Sequence, residues 1–178
     1  MRKQEFVITI YTENSLGLLS RIAVMFSRRR INIESLNVAA SELAGVHRFS
    51  IMVLATEEDI KKLILQIDKQ VDVLKSFYYT PENMVWNEQA FYKIENSLII
   101  PSDIHEKLKE YGTRLIAQED GNYQVFETTC DAQTTNKVLE LLEPLGLTEF
   151  ARSARIAIGT STNTLHQKLK QFEAAHTG

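Results

Sequence analysis

The chain has 178 residues, of which 44% are hydrophobic, 24% charged and 8% aromatic, which is typical of a globular protein. The net charge of -3 gives no electrostatic reason to expect nucleic acid, and the single cysteine excludes an internal disulfide and a multi-cysteine metal site. No apolar run approaches the ~18 residues of a membrane span, and no signal-peptide cleavage site precedes the first strand-like segment. We therefore expect a cytoplasmic protein without membrane association.

The first elements are a strand followed by an amphipathic helix. Residues 5–12 alternate apolar and polar side chains as a half-buried strand does. Residues 16–29 carry apolar side chains at helical spacing, with Leu16 and Leu19 on the predicted buried stripe. The change of period between these segments marks a turn.

Two further strands and a second helix follow. Residues 31–40 return to strand spacing, with a phase slip near Ser35 that predicts a β-bulge. A strand over 46–55, a helix capped by Thr56 and a strand over 71–79 complete the pattern. The order βαββαβ predicts one antiparallel sheet with two helices on one face.

The same order then recurs more weakly, which indicates an internal duplication. We predict an α+β protein of two ferredoxin-like βαββαβ domains, over 1–79 and 90–159, each an antiparallel sheet with helices on one face. Residues 80–89 are predicted to be a linker, and 147–158 to hold the last strand. Residues 160–178 are a tail with a short amphipathic helix.

No constellation of catalytic side chains is visible in the sequence. Cys130 lies in a predicted strand without a nearby histidine, which favours a structural thiol, and the four histidines lack metal-ligand spacing. No phosphate loop or dinucleotide motif is present. We therefore expect the chain to be non-catalytic by itself, with no cofactor or metal of its own.

The βαββαβ order also occurs in RNA-recognition domains, so that alternative needs a test. Such domains carry a Lys/Arg-Gly-aromatic motif in the third strand, and residues 46–52 lack it. The only dense basic run is Arg28-Arg29-Arg30. We interpret it as cations that favour a helix C-terminus, or as a contact for an acidic protein partner, rather than as a nucleic-acid site.

The turn after the first strand has the composition of a ligand site. Asn14 and Gly17 bracket the predicted start of the helix, whose free N–H groups attract anions. Asn32 opens the next strand, and its amide can donate to a carboxylate or accept from an ammonium. The structural alternative is that Asn14 only caps the helix and Gly17 is only a packing notch. The residues alone leave both interpretations open.

The chain resembles the small, regulatory subunit of acetohydroxyacid synthase (acetolactate synthase), and its first half resembles an ACT domain. The resemblance is most specific in the first 80 residues. The segments that carry it are Glu13-Asn14, Gly17, Leu19-Ser20-Arg21, Phe26-Ser27, Asn32-Ile33-Glu34-Ser35-Leu36, Val71-Asp72-Val73-Leu74 and Phe150-Ala151-Arg152-Ser153.

The resemblance implies a subunit that binds the large, thiamine-diphosphate-dependent catalytic subunit and raises its activity. It implies feedback inhibition of branched-chain amino-acid synthesis, with valine carried over from the family as the effector. The residues themselves do not distinguish valine from leucine or isoleucine, because one methylene in an apolar pocket gives only ~1–3 kcal/mol of discrimination. Thiamine diphosphate, FAD and Mg²⁺ are expected in the large subunit only. The ACT domains are expected to form a homodimer with two equivalent effector sites. Each site would take Asn14, Gly17, Leu18 and Leu19 from one protomer, and Asn32 and Ile33 from the other.

Two positions depart from the family pattern. The family usually has glycine after the first helix, where this chain has Arg30, so we expect a different cap that is strained or extended by a turn. The hairpin over 41–45 also differs from the usual family sequence. The rival function is a stand-alone ACT-domain amino-acid sensor that regulates another enzyme or transcription.

Overall fold

The computed structural model describes residues 2–95, 100–119 and 122–160. The chain forms two compact units, one of Met1–Val85 with Ala157–Gly178 and one of Trp86–Ile156. Both units are α+β, as predicted. The tail helix predicted over 160–178 lies outside the described residues, apart from Thr160.

The first unit contains a four-stranded antiparallel sheet with the strand order β2-β3-β1-β4. This order is the ferredoxin-like arrangement predicted from the sequence. The predicted β-bulge is also confirmed, because the pairing of β2 with β3 shifts register between Ile33 and Ser35. The elements are β1 (Gln4–Glu13), α1 (Leu18–Arg28), β2 (Ile33–Ala40), β3 (Val46–Ala55), α2 (Glu57–Ile67), β4 (Val73–Tyr79) and a 3₁₀ turn over Pro81–Asn83.

Both helices of the first unit pack on one face of its sheet. Ile22 and Phe26 of α1 and Ile60 and Leu63 of α2 are buried in the same core as Phe6 of β1. Each of these side chains is no more than 1% exposed. The shared core explains why the two helices form, since burial of an apolar stripe supplies most of a short helix's stability.

The predicted apolar stripe of α1 is wrong at its start. Leu16 is fully exposed and Leu19 is 46% exposed. The helix begins at Leu18, because Gly17 takes a left-handed conformation with φ 77° that precedes the first turn. The buried stripe therefore starts two residues later than the hydrophobic pattern indicates, with Leu18, Ile22, Met25 and Phe26.

The second unit is built on the strand order β6-β7-β5-β8, and β9 pairs with β5 outside this path. The order repeats that of the first sheet, so the duplication predicted from the sequence is present in the fold. Its elements, which include two strands shared with the first unit, are β5 (Met84–Glu95), α3 (Ser102–Glu110), β6 (Arg114–Glu119), β7 (Tyr123–Cys130), α4 (Ala132–Leu142), a 3₁₀ turn over Glu143–Leu145, β8 (Leu147–Arg152) and β9 (Ile156–Gly159).

Two predicted segments have a different form in the structure. Residues 84–89, assigned to a linker, are the first half of β5, in which Met84 and Glu88 are buried. The strand predicted over 147–158 is two strands separated by 153–155. Ser153 ends the first of them, since its N–H donates to the Gln89 carbonyl at 2.8 Å and its Oγ accepts from the Gln89 N–H at 2.9 Å.

The last strand contributes to the first unit. The Arg48 guanidinium of β3 donates to the Ala157 carbonyl, and the Thr160 N–H donates to the Asn83 carbonyl at 3.0 Å. Gly159 lies against the ring of Tyr79. Residues from opposite ends of the sequence therefore stabilise the same unit.

Among the described residues, no helix has the length and apolar content that crossing a bilayer requires.

Candidate functional site

The turn between β1 and α1 places a glycine where the backbone requires one. Gly17 has φ 77°, a conformation in which a side chain is strained. A Cβ built at Gly17 would meet nothing within 4 Å, so the glycine is not a packing notch. The open surroundings also leave the backbone of Gly17 accessible to a small molecule.

Asn14 does not cap the helix, so that interpretation is wrong. Gly17 occupies the N-cap position, and no side chain caps α1. The Asn14 N–H donates instead to the Gly45 carbonyl at 3.3 Å, and its side chain is exposed. The first-turn amides of Leu18 and Leu19 therefore lack the side-chain acceptor that usually satisfies such groups. They form an electropositive helix start beside an exposed asparagine.

An ion pair that sequence reasoning missed holds this turn in place. The Arg21 guanidinium of α1 pairs with the Asp72 carboxylate and also donates to Ser15 Oγ at 3.3 Å. The Glu13 N–H donates to the Asp72 carbonyl at 2.9 Å. Asp72 thus fixes both the end of β1 and the start of α1. Arg21 and Asp72 both lie in segments that carry the family resemblance, and their pairing in space was the missing step.

Asn32 and Ile33 lie at the start of β2, the outer strand of the sheet. The Asn32 Nδ2 donates to Glu34 Oε1 at 2.8 Å, and no donor to its Oδ1 atom is found within the described part of the chain. Asn32 is exposed and Ile33 is half-buried.

One chain does not bring the two parts of the predicted site together. Ile33 pairs with Val53, which in turn pairs with Phe6 of β1, whereas Glu13 at the other end of β1 pairs with Val46. Phe6 and Glu13 are separated by about 24 Å at the usual rise of a strand. Asn32 and Ile33 therefore lie at the opposite end of the sheet from Asn14 and Gly17.

The described residues offer no activated nucleophile or metal cluster elsewhere. Burial raises the pKa of the Cys130 thiol, and its Sγ lies 3.4 Å from Thr135 Oγ1. A raised pKa disfavours the thiolate that nucleophilic chemistry needs. No group of three His, Cys, Asp or Glu side chains within the described residues could hold a metal ion.

Comparison with known proteins gives the same result for both halves of the chain. Residues 8–75 match the family described as an AHAS small subunit-like ACT domain. Residues 87–161 match the family described as the small subunit of acetolactate synthase. The first match contains the whole predicted site and the second contains most of the second unit.

Individual relatives cover nearly the whole chain. The acetolactate synthase small subunit of Bacillus subtilis is 31% identical over 157 residues, which are 88% of this chain and 91% of the relative. That of Mycobacterium leprae is 30% identical over 85% of this chain and 89% of its own. The crystal structure of the small subunit from Thermotoga maritima superposes with a TM-score of 0.78 at 25% identity, covering 90% of this chain and 99% of that one.

Proposed function

This chain belongs to the family of acetolactate synthase small subunits, and from that premise we propose that it regulates a catalytic large subunit in response to valine. In this proposal the chain binds the large subunit, raises its activity and makes that activity sensitive to feedback inhibition. Thiamine diphosphate, FAD and Mg²⁺ belong to the large subunit.

The observation that carries the proposal is the position of the two half-sites at opposite ends of the first sheet. β2 is an outer strand, so a second copy can add to it in the antiparallel direction. In such a pair, the first residues of β2 in one copy lie next to the last residues of β2 in the other. Asn32 of one protomer then approaches the Asn14–Gly17 turn of the other. A two-fold axis gives two such sites per homodimer.

The chemistry of the two half-sites matches an α-amino acid. The uncapped N–H groups of Leu18 and Leu19 suit a carboxylate, and Gly17 allows it to approach the backbone closely. The Oδ1 of Asn32, with the Glu34 carboxylate beside it, suits an ammonium. The exposed side chains of Leu16 and Leu19 supply an apolar surface for a branched alkyl group.

Regulation follows from a shift between two arrangements of the homodimer. Valine that bridges two protomers stabilises the arrangement in which the half-sites are closest. The large subunit responds to that arrangement. Such coupling requires different valine affinities in the two states.

The first test measures valine binding by thermal unfolding of the purified chain. A ligand present at 100 times its dissociation constant stabilises the folded state by about 2.7 kcal/mol, a shift of several degrees. We expect the shift for the wild-type chain and its loss in Asn14→Ala and Asn32→Ala. Asn122→Ala is the matched control, because the Asn122 Nδ2 also donates to a carboxylate, that of Glu119, at 3.0 Å. The control variant should keep the full shift.

The second test adds the purified large subunit. We expect the chain to raise acetolactate synthase activity and valine to lower it again, with Asn14→Ala and Asn32→Ala retaining activation but losing inhibition. A chain that binds valine but neither associates with the large subunit nor alters its activity would favour the stand-alone sensor.

A further inference from the structure

A groove on the helix side of the first unit is not used by the proposed effector site. It lies between α1 and the C-terminal end of α2 and has a volume of about 320 Å³. We call it the α1–α2 groove and define it by Arg21, Val24, Met25, Arg28, Gln66 and Gln70, which line it.

The groove carries positive charge that the surrounding acidic residues do not neutralise. Of the two arginines that line it, Arg21 is neutralised by its ion pair with Asp72. The other acidic groups are engaged outside the groove: Glu57 with Lys61, Glu58 with Lys62 and Asp68 with Lys75. Asp59 accepts from the Thr56 hydroxyl. Arg28, by contrast, is exposed and has neither an ion pair nor a side-chain hydrogen bond with any residue in the described part of the chain.

The neighbouring arginines strengthen this field. Arg29 is held beside the groove, with its Nε donating to Gln66 Oε1 at 3.0 Å and its guanidinium donating to the Lys62 carbonyl at 3.4 Å. Arg30 follows and is exposed. Within α1 itself there is no acidic residue. The basic run at the end of α1 is therefore concentrated at one end of the groove.

The floor of the groove is apolar. Val24 is 46% exposed, and Met25 below it is buried. The Gln66 and Gln70 side chains add amide groups that can bond to a peptide backbone. An apolar floor beside the exposed guanidinium of Arg28 matches a segment with both a carboxylate and an apolar side chain.

We propose that the α1–α2 groove binds an acidic segment of the catalytic large subunit, which inserts an apolar side chain over Val24 and pairs a carboxylate with Arg28. The inference rests on the proposed function for the identity of the partner. The groove opens between the helices, whereas β2 lies at the margin of the sheet. One chain can therefore bind a second copy and the large subunit at once. A nucleic acid fits less well, because none of the lining residues is aromatic and the chain carries a net charge of -3.

The test measures the affinity of the full chain for the purified large subunit by titration. We expect Arg28→Glu to weaken binding at least tenfold, and Arg28→Gln to have an intermediate effect. Lys109→Glu is the matched control, because Lys109 occupies the last turn of α3, the helix equivalent to α1 in the second unit. Arg28→Glu and Lys109→Glu reverse the same charge at a helix C-terminus. The affinity of the Lys109→Glu control for the large subunit should therefore stay within twofold of the wild-type value.

Salt and valine supply the remaining readouts. Wild-type affinity should fall with salt more steeply than that of Arg28→Glu, since the variant lacks the ion pair. The valine-induced thermal shift should be the same in both chains, which shows that the fold and the effector site are intact.

Binding of the large subunit that is unchanged in Arg28→Glu overturns the groove proposal alone. A wild-type chain that does not bind the large subunit overturns the proposed function and the groove proposal together. A salt-dependent complex with an RNA probe that Arg28→Glu abolishes, with binding of the large subunit unchanged, assigns the groove to nucleic acid instead.

Discussion

Arg152 Nε of β8 lies 3.2 Å from Glu88 Oε1 of β5, and the Glu88 side chain is only 7% exposed. The same guanidinium donates to Asn136 Oδ1 of α4 and lies over the Phe150 ring, 5.3 Å from its centroid. One arginine thus joins two strands and a helix of the second unit. Its segment, Phe150-Ala151-Arg152-Ser153, also carries the family resemblance.

Arg152→Met should destabilise the second unit by about 3 kcal/mol, because it leaves a buried carboxylate without its counter-ion. The double variant Arg152→Met with Glu88→Leu removes both charges and should recover most of that loss. Urea unfolding of the wild type and the variants measures both effects. Equal instability of Arg152→Met and the double variant would show that packing of the guanidinium, rather than its charge, is what matters.

Arg30 follows the end of α1 in a left-handed backbone conformation of the kind that usually requires glycine. Its φ is 56°, and the Ile31 N–H donates to the Phe26 carbonyl at 3.1 Å while the Arg30 N–H donates to the Ser27 carbonyl at 3.0 Å. These two bonds are those of a Schellman motif. The expectation of a different or extended cap is therefore wrong, because α1 ends at Arg28 in a cap of the glycine type. The expected strain agrees with the left-handed φ of Arg30.

Arg30→Gly should raise the free energy of unfolding by about 1 kcal/mol, since glycine adopts this conformation without strain. Arg30→Ala distinguishes the effect of backbone strain from that of charge, because it removes the guanidinium but keeps a Cβ at positive φ. We expect no stabilisation from the alanine variant. A gain of equal size in both variants would assign the effect to relief of repulsion among the arginines.

Asp131 gives the second unit a dependence on pH. Hydrogen bonds from the Thr134 backbone N–H, the Thr134 hydroxyl and the Gln133 N–H hold the pKa of Asp131 below its usual value. A lowered folded-state pKa stabilises the fold above the unfolded-state pKa of ~3.9. That stabilisation is lost as the pH falls through the folded-state value.

Asp131→Asn keeps a capping side chain on α4 but removes the charge. At pH 7 the substitution should lower the free energy of unfolding by about 0.5 kcal/mol. The difference from the wild type should disappear in acid, where the Asp131 carboxyl of the wild type is protonated. Denaturant midpoints of both proteins between pH 7 and pH 2 provide the measurement. A difference that does not change with pH would refute the charge contribution.

The packing of Gly159 against Tyr79 leaves no room for a methyl group. A Cβ at Gly159 would overlap the ring of Tyr79 unless the ring or β9 moved. Gly159→Ala should therefore destabilise the first unit by about 1–3 kcal/mol, as overpacking of a filled site does. Tyr79→Ala should reduce the cost of the added methyl, which a double-mutant cycle measures. Additive effects would show that the cost of the methyl group does not come from contact with Tyr79.

The separation of the two half-sites makes a prediction about mixed dimers. Homodimers of Asn14→Ala or of Asn32→Ala should bind no valine, because each of their sites lacks one asparagine. A mixed dimer of the two variants has one site with both asparagines and one with neither. Refolding equal amounts of the two variants together should make about half of the dimers mixed and so restore about a quarter of the wild-type valine sites, measured by titration calorimetry. No recovery in mixed dimers would contradict a site shared between protomers.

The sequence was sufficient to predict the layered fold, because each domain repeats periodicities of strand and helix that agree with one another. It was less informative where backbone conformation overrides hydrophobicity. Leu16 and Leu19 have the right spacing for a buried stripe, yet the left-handed Gly17 excludes Leu16 from the helix and sets its phase.

The contacts that hold the candidate site lie beyond sequence reasoning for a different reason. Arg21 and Asp72 are 51 positions apart, and only the sheet brings them together. The turn itself could be predicted from Asn14 and Gly17, since a glycine at a strand-to-helix junction signals a special backbone conformation. Asn32 lies at the opposite end of the sheet from this turn because of the register in which the strands pair. The alternation of apolar and polar residues predicts strands but does not give their register.

The return of β9 to the first unit has a consequence for the order of synthesis. β4 ends at Tyr79, whereas β9 begins at Ile156, so a ribosome delivers the two segments on the order of 4–15 s apart at ~5–20 residues per second. During that interval the first sheet can form, but Arg48 and Tyr79 have no last strand to contact. A β9 from a neighbouring nascent chain fits the vacant place as well as its own does, which is the condition for strand exchange between copies. The domain that is translated first is thus the last to be completed.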